Sequence, residues 1–123
     1  EIVTEGVKAK TCLHTFFGDA SPILKIAEMI AVDDIGVDLY ETDPKAFNNL
    51  KFKNGLVLGV INSRNSIIED VIDLEKIIKE ILLNVETKNL YITPNADMDF
   101  LTIDKAEEKI RVLSKVAKKL QEI

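Results

Sequence analysis

His14, Asp38 and Arg64 are the residues of this chain whose types invite chemistry. His14 is its one histidine. An imidazole can ligate a metal or contact a substrate near neutral pH, and it can equally be a buried, hydrogen-bonded core residue. Asp38 interrupts the apolar run Ile35-Gly36-Val37-Asp38-Leu39-Tyr40. A buried lone carboxylate is costly unless paired or liganded. Asp38 therefore has a partner, faces a polar cleft, or lies at the exposed end of its run. Arg64 stands in Asn62-Ser63-Arg64-Asn65. Its guanidinium can grip a carboxylate or phosphate, or it can pair with Asp38 or Glu41 across a cleft and be structural. The candidate substrate-binding set is thus His14, Asp38, Asn62, Arg64 and Asn65. No catalytic residue is assigned. Asn95, Asp97 and Asp99 could offer oxygens to a hard cation or form a plain turn and helix cap.

Other chemistries lack their motifs. There is no GxGxxG, GxxxxGK[ST], CxxC or HExxH. One histidine and one Cys12, which reads as a small buried core residue of its strand, do not make a convincing triad. A single cysteine excludes an internal disulfide framework and fits a reducing, cytoplasmic compartment.

The elements that must position these residues repeat four times. Thr11–Phe17, Ile35–Tyr40, Leu56–Ile61 and Asn89–Pro94 are apolar runs that end in polar clusters and lead into helical stretches. Each reads as a parallel strand, and parallel α/β folds carry their chemistry at the C-terminal strand ends. Ser21 and Pro22 are a cap and first-turn pair for a helix over Pro22–Ile30. Asp43 caps a short helix from Pro44. Apolar spacing predicts a helix over Ile68–Leu83 and another from Ile103 or Asp104 to Gln121. Residues Glu1–Lys8 read as the tail of a helix. The expected fold is α/β, four parallel βα units, half of a TIM-type (βα)8 barrel, in one partial domain spanning residues 1–123.

Composition narrows the function further. The chain has 123 residues, 46% of them hydrophobic, and a net charge of −5. The balance argues against a nucleic-acid binder, which needs a basic surface. No apolar stretch approaches the roughly 20 residues of a membrane span. The N-terminus lacks the basic segment and apolar core of a secretion signal.

Several strand-end segments resemble cobalamin-independent methionine synthases. Leu13-His14-Thr15-Phe16-Phe17-Gly18-Asp19 resembles that family's LQTYFGD, Ile35-Gly36-Val37-Asp38-Leu39 its ALGLDLV, and Leu58–Asn65 its GVVDGRN. The ending Ala117–Ile123 resembles FAxQKLEEL. The similarity runs from about Lys10 to Ile123, in the family's order and spacing. It implies the last four βα units of the N-terminal of two duplicated (βα)8 barrels, and places Arg64 and its neighbouring asparagines in a matching motif. The family transfers a methyl group from a folate donor to homocysteine in methionine biosynthesis. Its C-terminal barrel holds a catalytic zinc on a His, a Cys two residues later, a Glu and a second Cys.

Set against that pattern, His14 falls at the His, Phe16 at the first Cys, Asp38 at the Glu and Ala96 near the second Cys. Both thiolates are missing, and thiolates help hold such a metal. The resemblance therefore implies no zinc and no other cofactor in this chain, and no activity by this chain alone. It implies a folate or amino-acid substrate, while charge and hydropathy argue against a nucleic-acid or membrane partner.

Half a barrel leaves two open strand edges. The chain begins at Glu1 rather than Met, and a fragment whose observed piece dimerises is the favoured solution. Pairing of two copies into a pseudo-barrel and flattening into an open sheet are the others. Two further functional readings stand beside the methyltransferase one. One is a non-catalytic partner of a zinc-bearing barrel. The other is a metal-independent barrel enzyme using His14, Asp38 and Arg64.

Overall fold

The computed structural model describes residues 3–122. Six strands and three α-helices follow in chain order: β1 (Cys12–Thr15), α1 (Ser21–Leu24), β2 (Asp34–Asp38), β3 (Leu50–Lys51), β4 (Gly55–Ile61), α2 (Val71–Asn84), β5 (Val85–Glu86), β6 (Leu90–Pro94) and α3 (Ile103–Gln121). Short 3-10 helices lie at Ala27–Met29 and Pro44–Phe47.

The four longer strands form one all-parallel sheet in the order β1-β2-β4-β6. Strands that follow one another in the chain at barrel spacing lie side by side, joined by crossovers, as in a run of βα units. β3 and β5 make a separate two-stranded parallel ribbon. It ties the crossover before β4 to the end of α2. Sequence reasoning did not anticipate it, because two-residue strands carry no periodicity.

Strand alternation divides the sheet into two faces. Ile35, Val37, Leu56, Leu58 and Val60 are buried on the helix-covered side with Leu74, Ile78, Ile81 and Val116. The opposite face carries three rows set by the register. Cys12, Asp34 and Gly55 form the first. His14, Gly36, Val57 and Tyr91 form the second. Asp38, Gly59 and Thr93 form the third. Lys10 Nζ, two residues before β1, donates to Tyr91 Oη of β6 at 3.2 Å.

Several boundaries differ from the sequence reading. The helix expected over Pro22–Ile30 stops at Leu24 and gives way to the 3-10 turn at Ala27–Met29. Only Leu24 and Ala27 of this stretch are buried, while Ile26 is half exposed, so no continuous apolar stripe holds a longer helix on the sheet. Ser21 is the first helical residue rather than the cap. Ala20 takes the cap position without a side-chain bond, and Asp19 accepts from the Ser21 backbone N–H at 2.9 Å. Residues 3–6 form a turn, with Gly6 at φ 76°, in place of the expected helix tail, whose first two residues lie outside the described ones. The helix expected over Ile68–Leu83 begins at Val71, because Asp70 accepts from the N–H groups of Ile72 and Asp73 and fixes the start. Asp43 caps the Pro44–Phe47 turn as expected, accepting from Lys45 N at 2.8 Å. The last helix, Ile103–Gln121, also lies where its periodicity put it.

Candidate functional site

The C-terminal strand ends converge on a cleft of about 480 Å³. His14, Phe16 and Phe17 line it from β1 and its loop. Arg64 enters from the loop after β4, and Thr93 to Asp97 with Phe100 come from the end of β6. Most of its wall is apolar, as small-molecule sites usually are.

Asp38 lies beneath the cleft, fully buried at the last position of β2. Its carboxylate is fully engaged. Arg64 Nη2 donates to Oδ2 at 2.5 Å. The Tyr40 N–H donates to Oδ1 at 2.9 Å, and Asn95 Nδ2 reaches the same oxygen at 3.3 Å. Burial of an ionised group is tolerable because all these donors point at it. Arg64 also donates to Glu41 Oε1 at 3.1 Å and to the Phe16 carbonyl at 3.2 Å, with its guanidinium 5.9 Å from the Phe17 ring centre. One arginine thus ties together the loops after β1, β2 and β4. The pairing with Asp38 and Glu41 is the one the sequence allowed as a structural alternative.

Asn95 is the residue whose weight sequence reasoning missed. It is fully buried. Its Oδ1 accepts from both the N–H and the hydroxyl of Ser63 at 2.9 Å, and its own backbone N–H donates to the Ile61 carbonyl at 2.8 Å. An asparagine directly after a strand-ending proline reads as a turn, and nothing in its local sequence distinguishes the two roles. The available signal was its place at the end of a parallel strand.

Two glycines make room for this arrangement. A Cβ on Gly36 would stand 2.2 Å from Cδ2 of the His14 ring, and one on Gly59 would stand 2.8 Å from Cα of Asn95. The imidazole therefore lies flat over the neighbouring strand. Its Nε2 is buried without a hydrogen-bond partner. Burial holds the His14 pKa below its ordinary value, outweighing the opposite pull of the Asp38 charge.

Asn62 and Asn65 shape the loop rather than the cleft wall. Asn62 Oδ1 accepts from Arg64 N at 3.0 Å, and Asn65 Oδ1 accepts from Ile67 N at 3.1 Å. Behind them lies a second polar cluster. Lys109 is fully buried, and its Nζ donates to both oxygens of Glu69, at 2.9 and 3.1 Å, and to the Ile67 carbonyl. Glu69 Oε1 also accepts from Asn62 N at 2.8 Å and from Tyr40 Oη at 3.3 Å. Burial and the nearby Glu69 charge push the Tyr40 phenol well up. This cluster fixes the loop that carries Arg64.

The positions compared above with zinc ligands come to one place, since His14, Phe16 and Ala96 all line the cleft and Asp38 lies under it. Their side chains do not make a zinc site. Two are hydrocarbon, and Asp38 is held by Arg64. Among the described residues no three His, Cys, Asp or Glu side chains are grouped to hold a metal. Cys12, expected in the core, is exposed instead, because it lies on the open face of β1 two residues before His14.

Comparison with known proteins agrees with the geometry. The family model described as the catalytic domain of cobalamin-independent synthases matches residues 1–119. The strand-end motifs resemble the family's N-terminal barrel, whereas the model that matches is that of the catalytic domain. No curated protein matches in sequence. Among solved structures, a B12-independent methionine synthase from Shewanella sp. W3-18-1, in complex with selenomethionine, superposes with a TM-score of 0.80 at 16% identity. The match covers 97% of this chain and 40% of that one, a likeness of fold in which this chain accounts for a partial barrel. With a family model covering nearly its whole length, this chain belongs to the cobalamin-independent methionine synthase family.

Proposed function

We propose that this chain is a methionine-synthase-type half-barrel whose cleft binds an amino acid of the methionine or homocysteine class without a zinc centre, and that alone it does not transfer a methyl group. The observation that carries this reading is the cleft itself. The four positions that correspond to a zinc set converge there, yet offer only His14 and an Asp38 already neutralised by Arg64. The remaining features suit a small thioether. Phe16, Phe17 and Phe100 give an apolar rim, and sulfur packs well on aromatic edges. Asp97 at the lining and Glu41 beside Arg64 leave the mouth with excess negative charge for an ammonium group. The Shewanella relative holds selenomethionine, the selenium analogue of such a ligand.

The role in the chemistry is then to bind and orient. Arg64 holds the three loops, and the His14 ring lines the cleft with its Nε2 buried and unpaired. A cytoplasmic setting accords with methionine biosynthesis. Calorimetric titration with L-methionine tests the proposal. Saturable binding that is unchanged by adding zinc or a chelator is the expected result. Binding only in the presence of zinc, or methyl transfer to homocysteine by the isolated chain, would refute it.

A further inference from the structure

We infer that Lys109 is a positioning residue for the cleft, whose ion pair with Glu69 sets the placement of Arg64 and Asp38 through Asn62 and Tyr40. The effect on binding rests on the proposed ligand, whereas the effect on the loop does not. Lys109 lies on α3 and is not among the residues that line the cleft. It is nevertheless fully buried, at a desolvation cost that an apolar side chain of similar volume would not carry. A buried ion pair is weak support for stability by itself. What this one supplies is direction, through the hydrogen bonds that converge on its carboxylate.

Two bridges carry that direction to the cleft. Asn62 donates its N–H to Glu69 Oε1 at 2.8 Å and accepts from Arg64 N on its Oδ1 at 3.0 Å. Tyr40 donates its hydroxyl to the same Glu69 oxygen at 3.3 Å and its N–H to Asp38 Oδ1 at 2.9 Å. The Glu69–Lys109 and Asp38–Arg64 pairs are thus joined twice, through the loop after β4 and through the loop after β2. Lys109 Nζ closes the frame from α3, donating to Glu69 at 2.9 and 3.1 Å and to the Ile67 carbonyl. Glu69 also borders a surface groove with Lys115 and Lys118. Without the Lys109 ammonium, its carboxylate has water and these lysines to turn toward. Asn62 and Tyr40 then lose the acceptor they share, and Arg64 and Asp38 lose their support.

The test compares the wild-type chain with Lys109→Met and with the double variant Glu69→Met, Lys109→Met. The double variant removes both charges at once, so it is expected to be more stable than Lys109→Met alone. It still lacks the acceptor for Asn62 and Tyr40. The readouts are calorimetric titration with L-methionine and hydrogen exchange at two amides. The Ser63 N–H lies in the loop, bonded to Asn95 Oδ1 at 2.9 Å, whereas Leu58 is paired on both sides within β4 and reports global opening. Both variants are expected to bind methionine about tenfold more weakly, with Ser63 exchange accelerated relative to Leu58. Wild-type affinity in the double variant, or Ser63 and Leu58 accelerating in step, would overturn the inference and leave Lys109 a stabilising residue only. If the wild-type chain binds no methionine, the ligand reading fails and exchange still decides. Acceleration at Ser63 alone then supports the role of Lys109, and acceleration in step overturns it.

Discussion

Arg64 and Asp38 are more informative as a pair than either is alone. Sequence left Asp38 with three possible fates and Arg64 with two, and the ion pair resolves both toward each other. Removing Arg64 leaves a fully buried carboxylate with only neutral donors. Because the arginine side chain is 31% exposed, solvent moderates the loss. Arg64→Met is expected to cost about 2–3 kcal/mol in urea unfolding, below the usual cost of breaking a fully buried pair. Asp38→Asn, which keeps an acceptor for the Tyr40 N–H, is expected to cost less, about 1–2 kcal/mol.

Gly36 tests the same site from below. A methyl group there meets the His14 ring, so Gly36→Ala is expected to cost about 1–3 kcal/mol and to weaken methionine binding, as read by thermal melts and calorimetry. His14 sets a pH dependence of definite sign. Its folded pKa lies below the ordinary 6.5, so the unfolded chain binds the proton more readily. The stability it contributes is fully present above pH 6.5 and falls as pH drops through that value toward the folded pKa. An NMR titration of the imidazole should give a midpoint below 6.5, and His14→Gln should flatten the acid limb of the stability profile.

At the scale of elements, the strands were legible because parallel strands covered on one face by helices are dense apolar runs ending in polar loops. α3 was legible because its apolar positions recur at helical spacing, and Val112 and Val116 are buried in the core. α1 was not, since Ile23, Ile26, Ala27 and Ile30 read as one apolar stripe although Ile26 is half exposed. The start of α2 was misplaced because Ile68 continues the apolar spacing past Asp70, the residue that caps the helix. Asp70→Ala is expected to cost about 1 kcal/mol, measured by chemical denaturation. The polar cluster behind the β4–α2 loop was invisible in sequence. Lys109 sits on a helix face that reads as solvated, and its partner Glu69 lies forty residues earlier. Lys109→Met is expected to destabilise the fold by about 3 kcal/mol, because Glu69 keeps only neutral donors, Asn62 N–H and Tyr40 hydroxyl. Its readout is the unfolding free energy, together with faster hydrogen exchange in the loop carrying Arg64.

Across the whole molecule, four βα units in sequential order place the candidate side chains His14, Asp38 and Arg64 at one end of one sheet. The family and the half-barrel fold were readable because strand-end motifs recur in order. The union of those ends by Asn95 and Arg64 was not, because it depends on contacts between residues far apart in the chain. The central claim is that the family's frame persists here around a cleft without a zinc donor set. The most direct measurement is zinc content by mass spectrometry after equilibration with the metal and dialysis, on the wild-type chain and on His14→Ala. Far less than one zinc per chain, with no difference between the two proteins, is the predicted result. One zinc per wild-type chain that disappears in His14→Ala would contradict it.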